Sequence, residues 1–263
     1  MMRVSGSEFY LFNSNPGSAI PYLLTFAEMQ LNQTNIYEQG QVLLINKPLH
    51  WTSFDVVKKI RHLILIKKVG HAGTLDPLAT GLLIVCTGKF TKEINEYMAK
   101  EKEYTGTFTL GATTPTYDLE SEPVNFKSFE NITADQIMAV SKKFTGEIMQ
   151  VPPVYSAIKV GGKRLYELAR QGKEINPEPR KIVISEFEII LIVPGTPSGD
   201  LPVVHFRVVC AKGTYIRSLA FDFGAALGCG AYLSSLCRTR IGEFKLSEAM
   251  TIEAFEEKVK QQL

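Results

Sequence analysis

The sequence predicts an α/β domain: a large, mainly antiparallel mixed sheet flanked by helices. Three stretches carry the prediction. Tyr104, Gly106, Phe108 and Leu110 alternate with Thr105, Thr107 and Thr109, the period of a strand with one buried face. Residues 181–193 read as a long strand bearing Ile182, Ile184, Phe187, Ile189, Leu191 and Val193. A hairpin-like loop at 194–202 leads into a return strand at 203–210, where Val204, Phe206 and Val208 share a face. Strands joined this way pair antiparallel, and the helical stretches between the others cover the sheet.

Taken in order, residues 1–38 are polar and irregular and read as a poorly ordered extension. A short docked helix through Leu23, Leu24 and Phe26 is the alternative, and Met29 stands as a possible start of the working chain. Val42 to Ile45 reads as a strand closed by Asn46-Lys47-Pro48. Ser53 is the expected N-cap of a helix whose stripe is Val56, Ile60, Leu63 and Ile64. Leu82 to Cys86 is an apolar run suited to a buried strand, and Phe90 to Met98 a short helix. Thr114 to Pro123 is a polar, acidic loop. Thr133-Ala134-Asp135-Gln136 is a capping box that starts a helix to Phe144, ended by Gly146. Extended prolines at 152–153, a strand, a Gly161-Gly162 turn and a short basic helix follow. A further helix runs to Leu227, and Glu253 to Gln261 closes the chain as a short charged helix.

The 263 residues suit one large domain or two small ones, and with 45% hydrophobic residues the chain buries a substantial core. No apolar run approaches a membrane span, and a signal peptide is not expected from an N-terminus whose basic residue is Arg3. The cytoplasm is therefore the expected location. Cys86, Cys210, Cys229 and Cys237 form no Cys-x-x-Cys pair and share no ligand spacing with His62 or His71. They read as small core residues in a reducing compartment, and no metal is expected. Net charge is only +2, but its distribution says more. Lys58, Lys59, Arg61, Lys67 and Lys68 form one basic stretch, and Lys159, Lys163, Arg164, Arg170 and Lys173 a second, with Tyr155 and Tyr166 interleaved. Glu248, Glu253, Glu256 and Glu257 collect near the end. A basic face with an acidic far side suits RNA.

Between the first basic stretch and the apolar run lies Val69-Gly70-His71-Ala72-Gly73-Thr74-Leu75-Asp76-Pro77-Leu78-Ala79-Thr80-Gly81. Three glycines and a proline oppose regular structure, so this is a shaped loop. Pro77 biases Asp76 toward an extended backbone, which presents one carboxylate against the following strand. Residues 70–81 resemble the signature loop of the TruB family of tRNA pseudouridine synthases, with Ala72 standing where many members have Thr. Asn46-Lys47-Pro48, Pro152-Pro153-Val154-Tyr155-Ser156-Ala157-Ile158-Lys159, Lys212-Gly213-Thr214-Tyr215-Ile216-Arg217 and Leu236-Cys237-Arg238 resemble other blocks of the same family. The recognisable region spans about Gly40 to Leu246.

That resemblance implies a pseudouridine-synthase catalytic domain at 39–247. Residues 248–263 then form a short C-terminal helix, without room for the full RNA-binding domain many members carry. It implies an isomerase that converts uridine-55 in the tRNA T-loop to pseudouridine. Asp76 is then the nucleophile, with Arg217 paired to it. Tyr104 stacks on the target base, Tyr215 lines its pocket, Leu236 contacts the flipped base, Lys47 shapes the wall, and His71 wedges into the T-loop. Lys159, Lys163, Arg164 and Arg170 are the candidate phosphate contacts. Substrate and product are isomers, so no cofactor is expected; tRNA is the expected partner of a monomer that does not engage membranes. Attack at C1′, attack at C6 and elimination to a glycal all remain open. The alternatives are an RNA-binding or tRNA-folding module without turnover, which need not keep Asp76, and a glycosidase, which needs a second carboxylate. Asp55 and Asp118 are the nearest acids with motif context, and neither has the spacing for that pair.

Overall fold

The computed structural model describes residues 35–156, 158–160, 162–171, 175–196 and 199–262. The expectations for residues 1–34, including the Met29 start and the docking of Leu23, Leu24 and Phe26, lie outside that set.

Residues 36–38, read from the sequence as part of a poorly ordered extension, are helical. Helical turn α1 (Ile36–Gln39) buries Tyr37, whose ring meets Phe255 edge-on at 6.0 Å between centroids. Thr87 Oγ1 donates to Tyr37 O at 2.7 Å, which fixes the turn to the sheet. Strand β1 (Val42–Lys47) follows, then α2 (Ser53–Ile64). The N-cap of α2 is Thr52 rather than Ser53, because Asp55 at the third helical position returns the bond: Thr52 accepts from Asp55 N, and Thr52 N donates to Asp55 Oδ2. Val56, Ile60 and Ile64 are buried as the stripe predicts, with Val57 added.

Short β2 (Val69–His71) and β3 (Ala79–Thr87) bracket the Asp76 loop. Leu83 and Val85 face one core and Leu82, Ile84 and Cys86 the other, which explains an unbroken apolar run in place of alternation. The single helix expected over 90–98 is instead a 3₁₀ turn (Gly88–Lys92) followed by α3 (Ile94–Ala99). Strand β4 (Lys102–Leu110) buries Tyr104, Phe108 and Leu110. Helix α4 (Ala134–Lys143) carries the predicted Thr133–Gln136 capping box. Strand β5 (Gly146–Gln150), the small hairpin β6 (Lys159–Val160) and β7 (Lys163–Arg164), and α5 (Leu165–Arg170) come next.

The long hairpin is β8 (Arg180–Val193) and β9 (Val203–Cys210). Pairing with β9 decides which residues of β8 face inward. Register shifts interrupt the β8–β9 ladder between Ile184 and Glu186 and between Ile189 and Leu191. Each irregularity adds a residue and reverses which side chains point inward. Ile182 and Ile184 reach the core, then Phe187 and Ile189, then Ile192. Leu191 and Val193 are left 53% and 42% exposed.

Helix α6 (Ile216–Leu227) ends at Gly228 in the left-handed region, and β10 (Ala231–Ile241), β11 (Phe244–Lys245) and α7 (Ile252–Gln262) complete the chain. The main sheet runs β1-β3-β10-β4-β9-β8-β5, with β2 on β3 and β11 on β10. Among the described strands every pairing is antiparallel except β10 with β3. Phe108, Phe206 and Phe223 anchor the core between the sheet and helices α4 and α6. Each such buried ring contributes about 1.5–3 kcal/mol.

Helix α7 is amphipathic, with Ile252, Phe255 and Val259 buried against α2. Lys59 Nζ lies 2.6 Å from Glu256 Oε2. The acidic end of the chain thus docks on the basic helix instead of occupying a far side, and Arg61 is spent on Val69 O at 2.6 Å.

Candidate active site

The loop carrying Asp76 is held by buried side chains from three directions. Ser53 Oγ accepts from Leu75 N at 2.8 Å and donates to Leu75 O at 3.2 Å, so the residue before Asp76 has both backbone groups clamped. Freed from capping, Ser53 is the link between α2 and the loop. Lys47 is fully buried and its Nζ donates to Trp51 O at 2.5 Å, Pro48 O at 2.9 Å and Pro77 O at 3.4 Å. Burial pulls the Lys47 ammonium down to about 8, with Asp76 opposing the shift and Arg238 adding to it. Arg238 Nη2 donates to Gly73 O at 3.1 Å. The backbone closes the frame: His50 N donates to Pro77 O, and Ala79 N to Asp76 O.

Asp76 itself stays open. Its side chain is 41% exposed, while that of Arg217, whose Nε lies 2.9 Å from Asp76 Oδ2, is 6% exposed. The rest of the guanidinium is committed: Nη2 donates to Tyr155 O at 3.0 Å and Nη1 to Thr116 O at 3.3 Å. Asp118 Oδ2 lies 3.6 Å from the same Nε, in a side chain that is 5% exposed. One buried cation therefore faces two carboxylates, one hidden and one presented to solvent.

Aromatic and apolar groups surround the carboxylate. Tyr104 ends the inner face of β4, and burial raises its phenol, with Asp76 contributing in the same direction. Tyr215 is the N-cap residue of α6, and burial likewise raises its phenol, which also feels Arg217 and Asp76. Gln150 fixes Tyr215 by its backbone, accepting from Tyr215 N at 2.8 Å and donating to Tyr215 O at 3.0 Å. Leu236 lines a cleft with Asp76, Leu78, Asp118 and Leu119. The structure thus brings Arg217 and Leu236 to Asp76, and sets Tyr104, Tyr215 and the buried Lys47 within electrostatic range of its carboxylate. His71 ends β2, half-buried; burial and Arg238 hold its imidazole below the usual range, which disfavours its charged form. The backbone sets Lys159, Lys163, Arg164 and Arg170 on β6, β7 and α5, and their side chains lie outside the described set.

Sequence reasoning missed four members of this arrangement: Asp118, Ser53, Gln150 and Arg238. Asp118 has no spacing relation to Arg217, and only the fold joins them. Ser53 and Gln150 act through the backbone of Leu75 and Tyr215, which no side-chain pattern reveals.

Comparison with known proteins fits this geometry. Residues 61–216 match the family model for the N-terminal domain of TruB family pseudouridylate synthases. Residues 217–262 match a tRNA pseudouridylate synthase B C-terminal domain. The chain is 54% identical over 228 residues to a tRNA pseudouridine synthase B of Flavobacterium johnsoniae, covering 84% of this chain and 96% of that protein. A tRNA pseudouridine synthase B of Parabacteroides distasonis is 51% identical, with 84% and 94% covered. Among solved structures, a Cbf5-Nop10-Gar1 complex aligns at a TM-score of 0.65 and 29% identity, over 95% of this chain and 63% of that one. An archaeal box H/ACA sRNP Nop10-Cbf5 complex aligns at 0.61 and 28%, over 88% and 56%. This chain therefore spans less than two thirds of those two chains. The matches cover the Asp76 loop, the strands beneath it and the Arg217 helix, and the chain belongs to the TruB family of pseudouridylate synthases.

Proposed function

We propose that this protein is a tRNA pseudouridine synthase that isomerises uridine-55 of the T-loop. The observation that supports it most is the solvent-open Asp76 carboxylate paired with the buried Arg217 guanidinium in a loop clamped on both sides. Relatives about half identical over most of the chain carry the name tRNA pseudouridine synthase B, which supports tRNA as the substrate.

Pseudouridylation breaks the N1–C1′ bond, turns the base and rejoins it through C5, which gives up its proton while N1 gains one. The site must supply a nucleophile, a pocket that keeps the detached base, and a path for that proton. Asp76 is the nucleophile in this reading. Arg217 aims it. Tyr104, Tyr215 and Leu236 hold the base, whose removal from the stack costs a few kcal/mol, less in a loop than in a duplex. His71 wedges into the T-loop. Basic side chains at Lys159, Lys163, Arg164 and Arg170 meet phosphates.

A module that binds RNA without turnover has no use for an exposed carboxylate in an RNA cleft, where it repels phosphate. Mapping pseudouridine in unmodified tRNA after incubation with the protein tests the reading. New pseudouridine at position 55 supports it; tRNA bound and returned unmodified contradicts it.

A further inference from the structure

Arg238 is 1% exposed, among the largest fully buried side chains described. A guanidinium accepts no hydrogen bond and keeps its charge, so burial is costly unless its donors meet oxygen. Nε donates to Leu82 O at 2.7 Å and Nη2 to Gly73 O at 3.1 Å. Gly73 precedes Asp76 and Leu82 follows it, so one planar fork ties the entry of the loop to its exit. Arg238 is also the direct cross-strand neighbour of Tyr104, and its charge acts on the Tyr104 phenol.

Strand register accounts for this placement. Arg238 stands opposite Tyr104 on β4 and opposite Gly81 on β3. Gly81 has φ +101°, and a Cβ there would lie 2.4 Å from Arg238 O, so only glycine permits this approach. Ladder shifts between Leu233 and Ser235 and between Arg238 and Arg240 set the segment apart on β10. Among the described residues no carboxylate lies within ion-pair distance of Arg238. A hydrophobic side chain of equal volume would fill the space at lower electrostatic cost. What the fork adds is geometry between two separate elements, the Asp76 loop and the Tyr104 strand.

We propose that Arg238 is a positioning residue for the isomerisation, fixing the Asp76 carboxylate relative to the Tyr104 hydroxyl. The proposal rests on the roles given to Asp76 and Tyr104 above. The test measures single-turnover pseudouridine formation and tRNA affinity for the full chain, Arg238→Gln, Tyr104→Phe and the double variant. Arg238→Gln is expected to slow the chemical step about tenfold or more with tRNA affinity within about threefold. Tyr104→Phe is expected to cost clearly less in the Arg238→Gln background than alone, because both changes remove one arrangement. A merely structural Arg238 lowers the melting temperature but gives effects that multiply. Multiplying effects, or an Arg238→Gln rate within twofold of the unmodified protein, overturn the proposal. Should Arg238→Gln not fold, Arg238→Lys keeps the stem and charge without the fork, and enters the same cycle under the same criteria. An unmodified protein that makes no pseudouridine overturns the reading of the site and this proposal together. An active one with unaffected Arg238 variants removes the role of Arg238 alone.

Discussion

Arg217 Nε sits 2.9 Å from Asp76 Oδ2, with the arginine buried and the carboxylate open. Its Nη atoms are held by Tyr155 O and Thr116 O, and Asp118 stands 3.6 Å from its Nε. Lysine keeps the charge but cannot reach these partners as a fork. Arg217→Lys is expected to slow turnover roughly tenfold to a hundredfold, and Arg217→Met, which also strands two carboxylates without a cation, further still. Single-turnover rates give the ranking; a lysine variant no faster than the methionine one contradicts it.

Ser53 tests the scaffold beneath that pair. It is 2% exposed and bonds both backbone groups of Leu75. Alanine leaves a buried N–H and C=O without that partner, at a cost of about 1–3 kcal/mol. Urea unfolding of Ser53→Ala should show that loss, and a change under about 0.5 kcal/mol would sink the clamp.

Much of this arrangement is legible before folding because it is local. Thr133 and Gln136 announce a capping box three residues apart, and Tyr104 to Leu110 show their period in one strand. The Asp76 loop declares itself by its glycines and Pro77. Thr52 was equally readable, since Asp55 answers it three residues on and nothing answers Ser53. The rest depends on partners far away in the chain. Leu191 and Val193 point outward because of irregularities in the β8–β9 ladder, which alternation within one strand does not disclose. Asp118 and Arg238 join the site through β10, and Glu256 meets Lys59 only when α7 docks on α2. Tyr37 belongs to the body because Phe255 waits at the other end of the chain.

The docking of α7 also redistributes the expected RNA contacts. Lys59 is paired with Glu256 and Arg61 with Val69 O, whereas Lys67 and Lys68 are exposed. Replacing Lys67 and Lys68 with alanine should weaken tRNA binding about equally across RNA sequences. The slope of log affinity against log salt should fall by roughly 1–2. Lys59→Ala should act on stability instead. Salt titrations of tRNA binding decide it, and an unchanged slope in the double variant counts against this surface.

Asp222, on α6, gives a pH test away from the catalytic loop. Burial raises its carboxyl from 3.8 to about 6. A raised carboxyl contributes stability that is complete below the unfolded value and lost as pH rises through the folded one. Asparagine suffers no such loss. Asp222→Asn should therefore raise the melting temperature at neutral pH, with the advantage shrinking toward pH 4. Equal differences at both ends of that window would show that burial does not disfavour the charge.

The central claim is that Asp76 is the nucleophile. Asp76→Asn keeps the shape and removes the charge, and Asp118, which lines the same cleft, is 5% exposed against 41% for Asp76. The measurement is pseudouridine formed at position 55 by purified Asp76→Asn under single turnover, beside tRNA affinity. Product is expected to vanish while affinity stays within about tenfold, or about 1.4 kcal/mol. Pseudouridine formed at a rate near that of the unmodified protein would contradict the account.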